Sequence, residues 1–163
     1  MSDLKSSYDV VIAGDSAGGN MALVLTRMAA QEGWPRAKRL ALLSPSVDMT
    51  LSNPETLAAA RTDPWLDIDG GRESVRIYAG DLDFADWRIS PAYGDLAALP
   101  PTLVFSGTRD LLYPDTAVFT EKARNASAQV ELVTGKGMIH VWPLLPIREA
   151  RRARDRMVAF LAG

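Results

Sequence analysis

The chain has 163 residues, with 18 lysines and arginines against 20 aspartates and glutamates, a net charge of −2 and a pI of about 5.4. That balance excludes a phosphate-backbone binder of nucleic acid, which needs a basic excess, and no apolar run reaches the ~18 residues of a membrane span. No cysteine and a single histidine exclude disulfides, thiolate metal sites, cysteine nucleophiles and any site that draws two imidazoles from one chain.

Composition leaves a single soluble, cytoplasmic globular unit, and the elements follow an alternating order. Tyr8-Asp9-Val10-Val11-Ile12-Ala13 is a short apolar, β-branched run ending at Gly14, as expected of a strand buried on both faces. Ala17 to Glu32 is predicted helical and stops at Gly33-Trp34-Pro35. Leu40–Leu43 is a second strand, closed by Ser44-Pro45, and Thr102–Phe105 a third, introduced by Pro100-Pro101. Val118–Ala126 is predicted as a helix, Val130–Val133 as a fourth strand and Ile147–Leu161 as a closing helix. Apolar strands separated by helices predict an α/β fold with a mainly parallel sheet of about four strands.

The stretch between the second and third strands is too long for a simple crossover. Residues 51–99 carry Pro54, Pro64, Pro91 and Gly70-Gly71, with helical patches at Glu55–Arg61 and Gly71–Ala79. Insertions of this kind serve as lids or binding loops. The five arginines between 148 and 156 are interrupted by Glu149 and Asp155, which predicts a solvated helix face.

Gly14-Asp15-Ser16-Ala17-Gly18 fits G-x-S-x-G, a pattern that chance alone places in about 5% of chains this long. Its position, after an apolar strand and at the start of a helix, is the setting of a nucleophile elbow. In such an elbow the serine sits in a strained turn, and side chains at either glycine are expected to strike neighbouring strands. Ser16 Oγ is then held clear at the helix N-terminus, with the Ala17 N–H free to bind an oxyanion. A phosphate-binding turn is the competing reading. It lacks a P-loop lysine, and no G-x-G-x-x-G occurs.

A serine nucleophile needs a base, and the base needs an orienting acid. His140 is the one available imidazole and follows the last strand, while Asp110 ends the third. An aspartate in such a turn also reads as a helix cap, and Asp115 is open to either part. The order Ser16, Asp110, His140, each beyond the carboxyl end of a strand, is the α/β-hydrolase order.

With these segments in view, the sequence resembles the hormone-sensitive-lipase-like esterases of the α/β-hydrolase fold. The matching blocks are Gly14-Asp15-Ser16-Ala17-Gly18-Gly19-Asn20, Ile89-Ser90-Pro91, Leu99-Pro100-Pro101-Thr102, Ser106-Gly107-Thr108-Arg109-Asp110-Leu111-Leu112 and Gly137-Met138-Ile139-His140. The resemblance implies Ser16 as nucleophile, Asp110 as acid and His140 as base, acting through an acyl-enzyme on short-chain esters or lactones. No metal or organic cofactor is implied. Residues 1–163 would form one truncated α/β-hydrolase domain, with 51–88 as a cap-like insertion over the acyl site. Asp15, Trp65, Trp87 and Trp142 are candidate substrate contacts, with Tyr78 a further candidate wall of the pocket.

Members of that family carry a long segment before the elbow, including an HGGG-type loop that adds oxyanion donors. Here the elbow begins at residue 14 and no HGG run exists. The chain therefore looks like the C-terminal portion of the family fold, and one missing oxyanion donor predicts a rate about 10²–10³ lower. Val10–Ala13 would become an open apolar edge, which predicts pairing with a second copy, pairing with a complementing chain, or marginal stability. A non-catalytic remnant or interaction module is the alternative reading.

Overall fold

The computed structural model describes residues 10–163. Its elements in chain order are β1 (Val11–Asp15), α1 (Ser16–Gln31), β2 (Arg39–Leu43), α2 (Pro54–Ala59), α3 (Ile68–Ala79), β3 (Thr102–Gly107), α4 (Tyr113–Asn125), β4 (Val130–Gly135) and α5 (Arg148–Ala162). The four strands form one sheet in the order β1-β2-β3-β4, and every neighbouring pair is parallel. Tyr8 and Asp9, expected in the first strand, lie outside the described residues.

Side-chain alternation along the strands divides the core between two faces. On one face Leu40, Leu42, Val104 and Val130 pack with Leu23 of α1 and Phe119 and Ala123 of α4. On the other, Leu43, Leu103 and Phe105 pack with Trp142 and with Ala150 and Ala153 of α5. The helices thus cover both faces of the central strands, as a parallel sheet requires. Full burial of a side chain such as Phe105 or Phe119, both at 0% exposure, stabilises the fold by about 1.5–3 kcal/mol each.

β1 does not share this burial. Its residues alternate between exposed and half-buried, because it has β2 on one side only among the described residues. The expectation of a strand buried on both faces fails here, and that of an open apolar edge holds for Val11 at 41% exposure.

The arginines of α5 are not all solvated. Arg154 donates to the carbonyls of Pro143 and Leu145, and Arg156 pairs with Glu131. Only Arg154 is half-buried; Arg148, Arg151, Arg152 and Arg156 are exposed, as a solvated face predicts. Among the described residues no helix is long and apolar enough to cross a membrane.

Two helix starts differ from expectation for local reasons. α4 begins at Tyr113 rather than Val118, with Pro114 in its first turn and Asp115 behind it, both favourable at a helix start. α3 begins at Ile68, where Asp67 caps the helix by accepting from the Gly70 N–H.

Candidate active site

The candidate residues lie beyond the carboxyl ends of β1, β3 and β4 in the one parallel sheet. β1 runs directly into α1, and the joint falls on Ser16, whose φ is +50°. A positive φ at a side-chain-bearing residue is uncommon and stores strain. A Cβ on Gly14 would lie 2.3 Å from the Gly18 carbonyl oxygen, so only glycine lets the strand turn so sharply into the helix. The obstacle is the helix's own backbone and not a neighbouring strand. At Gly18 the nearest atom to an added Cβ is Asp15 Oδ1, at 3.8 Å, so the second motif glycine is under no steric demand among the described residues.

Asp15 ends β1 and stands at the N-cap of α1, but its side chain caps nothing, and the first turn of α1 holds no acidic residue. α2 and α3, in contrast, are capped by Asn53 and Asp67. The N–H groups of the first turn of α1, Ala17 included, are therefore not taken up by a side-chain cap, and they present the positive end of the helix dipole.

Asp110 and His140 come from the loops after β3 and β4. Gly107 makes their approach possible: an added Cβ there would lie 2.2 Å from the Met138 carbonyl oxygen. The Arg109 N–H donates to the same carbonyl at 2.9 Å, and the Gly137 N–H donates to Thr108 Oγ1 at 2.8 Å. Across this seam His140 Nδ1 meets Asp110 Oδ2 at 3.1 Å, with both side chains buried. The other Asp110 oxygen accepts from the Leu112 N–H at 2.9 Å.

Asp115, the other candidate acid, does something else. It accepts from Asn53 Nδ2 at 2.7 Å and Thr56 Oγ1 at 2.8 Å, tying α2 to α4. Burial pushes its pKa up, and these two hydrogen bonds oppose the shift.

Ser16 and Ala17 open into a cavity of about 320 Å³. Leu51, Trp65, Leu66 and Val75 of the 51–88 segment line it, with Leu111 and Leu112 from the loop after β3. A smaller cavity of about 100 Å³ is lined by Ala17, Asn20, Met49, Ser74 and Tyr78. His140 is not among the lining residues, and no hydrogen bond joins it to Ser16 Oγ among the described residues.

The four tryptophan and aspartate candidates separate. Trp65 lines the main cavity. Trp87 stacks under the Arg27 guanidinium, 4.2 Å from its ring centroid, and Trp142 is buried edge-on against Phe105. Neither lines the cavity, and Asp15 does not either; for the two tryptophans the reason is packing elsewhere in the fold. Among the described residues no group of three His, Asp or Glu side chains could hold a metal ion.

Several positioning residues escape a reading by motif chemistry. Asn20, 1% exposed, donates to the carbonyls of Ser46 and Ile89 at 2.6 and 2.8 Å. It thereby ties α1 to the loop after β2 and to the return of the insertion. Ser44 Oγ accepts from the Val141 N–H at 3.0 Å. Asp63 joins the insertion to the loop that carries Asp110. Only Asn20 left a trace in the sequence, as the last letter of the elbow block.

This architecture agrees with the comparisons to known proteins. Residues 3–144 match the family model for the alpha/beta hydrolase fold, and the chain belongs to that family. Its relatives are named as esterases and lipases. It is 35% identical to an esterase of Acinetobacter venetianus over 131 residues, covering 80% of this chain and 43% of that protein. It is 34% identical to a triacylglycerol lipase of Mycobacterium tuberculosis, covering 84% of this chain and 27% of that one. Among solved structures, a hormone-sensitive lipase from a metagenome library superposes with a TM-score of 0.89 at 32% identity, over 93% of this chain and 53% of that chain. EstE5, whose crystal was soaked by p-nitrophenyl butyrate, superposes with a TM-score of 0.84 at 31% identity, over 93% and 51%. The chain spans about half the length, or less, of these relatives.

Proposed function

We propose that the chain is the catalytic portion of a carboxylic ester hydrolase working through Ser16, His140 and Asp110. The reading is supported by a strained serine at the head of an uncapped helix and a buried His140–Asp110 pair at 3.1 Å, all beyond the carboxyl ends of strands in one parallel sheet. His140 takes the Ser16 proton through Nε2 as Oγ attacks the ester carbonyl. Asp110 accepts a hydrogen bond from His140 Nδ1–H, which fixes the tautomer and stabilises the imidazolium. The Ala17 N–H is the oxyanion donor this chain supplies. His140 then returns the proton to the leaving alcohol, and the acyl-enzyme is hydrolysed by water activated through the same base. Serine–base hydrogen bonds tighten once substrate is bound, in keeping with none joining Ser16 to His140 among the described residues.

Substrate size follows from the cavities. The mostly apolar space of about 320 Å³ beside Ser16 has room for a short acyl or alcohol group and supports short-chain esters and lactones as the class proposed. Hydrolysis of p-nitrophenyl butyrate tests this directly. Turnover that drops by about 10⁴ in Asp110→Asn, as expected when the wrong tautomer is held, supports the reading. A wild-type chain with no turnover favours a non-catalytic module.

We also propose that the β1 edge pairs with a strand of another polypeptide, a second copy or a complementing chain. Val10 and Val11 are 40% and 41% exposed, and Met21 and Leu25 on the adjoining helix are 53% and 47% exposed. An apolar open edge of this kind is a template for strand addition.

A further inference from the structure

Asp63 is a half-buried residue in the turn between α2 and α3. Its Oδ1 accepts from the Trp65 and Leu66 N–H groups at 2.7 and 3.0 Å, closing the turn on itself. Its Oδ2 accepts from the Leu111 N–H at 2.7 Å, across 48 residues of sequence. The next amide along, that of Leu112, is held by Asp110. Two consecutive N–H groups are thus divided between a carboxylate of the insertion and the acid that faces His140. A second strand of the same connection runs from Arg109 Nη2 to the Thr62 carbonyl at 3.5 Å, so both residues flanking Asp110 touch residues 62–63.

The same carboxylate governs the cavity walls. Trp65 and Leu66, whose amides it fixes, line the cavity, as does Leu111, whose amide it also fixes. Leu66 and Leu111 belong to one apolar cluster with Leu51 and Leu112. We propose that Asp63 is a positioning residue that locks the cap segment to the acid-bearing loop, setting the orientation of Asp110 and the width of the acyl cavity together. Its effect on rate rests on the ester-hydrolase reading above; its effect on geometry does not.

The physical reason for a carboxylate is its capacity. It accepts three backbone N–H groups at once from two segments, and charge-assisted acceptance is stronger than neutral. An asparagine keeps one carbonyl oxygen, and so can serve either the turn or Leu111. An alanine serves neither.

The test compares wild type, Asp63→Asn and Asp63→Ala by amide hydrogen exchange and by kinetics with p-nitrophenyl acetate and p-nitrophenyl hexanoate. In Asp63→Ala, exchange at both Leu111 and Leu112 is expected to accelerate, and kcat to fall by about ten-fold or more for both esters. KM is expected to rise for the hexanoate and to hold for the acetate, a split that a general loss of stability would not produce. Asp63→Asn is expected to lie between. Accelerated exchange at Leu111 with Leu112 unchanged would overturn the coupling, as would an unchanged kcat and chain-length profile in Asp63→Ala. A wild-type chain without turnover defeats the ester-hydrolase reading alone, because the exchange of Leu112 still decides this one.

Discussion

The N–H of Val141 donates to the hydroxyl oxygen of Ser44 at 3.0 Å, linking the residue after His140 to the end of β2 across 97 positions of sequence. Both residues have left-handed backbone, with φ of +46° at Val141 and +47° at Ser44. For a β-branched residue that conformation is strained, and it persists only where the surroundings enforce it. Ser44, at 0% exposure, is also anchored by its own N–H to the Phe105 carbonyl at 2.7 Å.

Ser44→Ala is therefore expected to let the His140 loop relax, lowering kcat about ten-fold while KM holds. Val141→Gly added to that background is expected to recover part of the loss, because glycine adopts a positive φ without strain. Steady-state kinetics of the two single variants and the double variant check this. Strictly additive losses would show that the bond does not act through the backbone of Val141.

The two motif glycines are expected to respond in opposite ways. Gly14→Ala places a Cβ 2.3 Å from a backbone carbonyl oxygen that cannot yield, and is expected to destabilise by about 2 kcal/mol or more. Gly18→Ala meets nothing closer than 3.8 Å and replaces a helical glycine, so it is expected to be neutral or to stabilise by up to about 1 kcal/mol. Urea denaturation of the two variants gives the comparison.

Asp115 predicts a pH dependence with a definite sign. Burial raises its pKa above the ordinary 3.8 in the folded chain, so the folded state holds its proton more tightly than the unfolded state. The stabilisation is complete below the ordinary carboxylate value and is lost as pH rises through the folded one. Stability relative to Asp115→Asn, followed by urea denaturation from about pH 4 to pH 7, is expected to fall with pH. A rise would mean that the hydrogen bonds from Asn53 and Thr56 outweigh burial.

At the open edge, Val11→Lys puts a charge on the exposed face of β1 and is expected to weaken any strand pairing there. Sedimentation velocity should show wild type larger than a monomer and the variant shifted towards one. A wild-type monomer with a sharp cooperative melt would remove the edge-pairing proposal.

The legible parts of this molecule are those written in local pattern. The apolar runs at Leu40–Leu43 and Thr102–Phe105 become β2 and β3 almost unchanged, because strands buried on both faces need little beyond apolar side chains. The elbow was legible because its glycine, serine and strand-to-helix setting all lie within seven residues. Aromatic residues were not legible in the same way: Trp65, Trp87 and Trp142 look alike in sequence, and only packing separates a cavity wall from a cation stack and a core ring. Nor were Ser44 and Asp63, whose partners lie 97 and 48 residues away. Hydrogen bonds of that range depend on how loops from different strands meet, which no periodicity records.

The central claim is that Ser16 is an assembled nucleophile, and covalent labelling tests it most directly. Incubation with a fluorophosphonate, followed by peptide mapping by mass spectrometry, is expected to give a single adduct on the peptide containing Ser16. That adduct should vanish in Ser16→Ala and form far more slowly in His140→Ala, where the base is gone. No adduct in the folded wild-type chain, or one that persists in Ser16→Ala, would contradict the account.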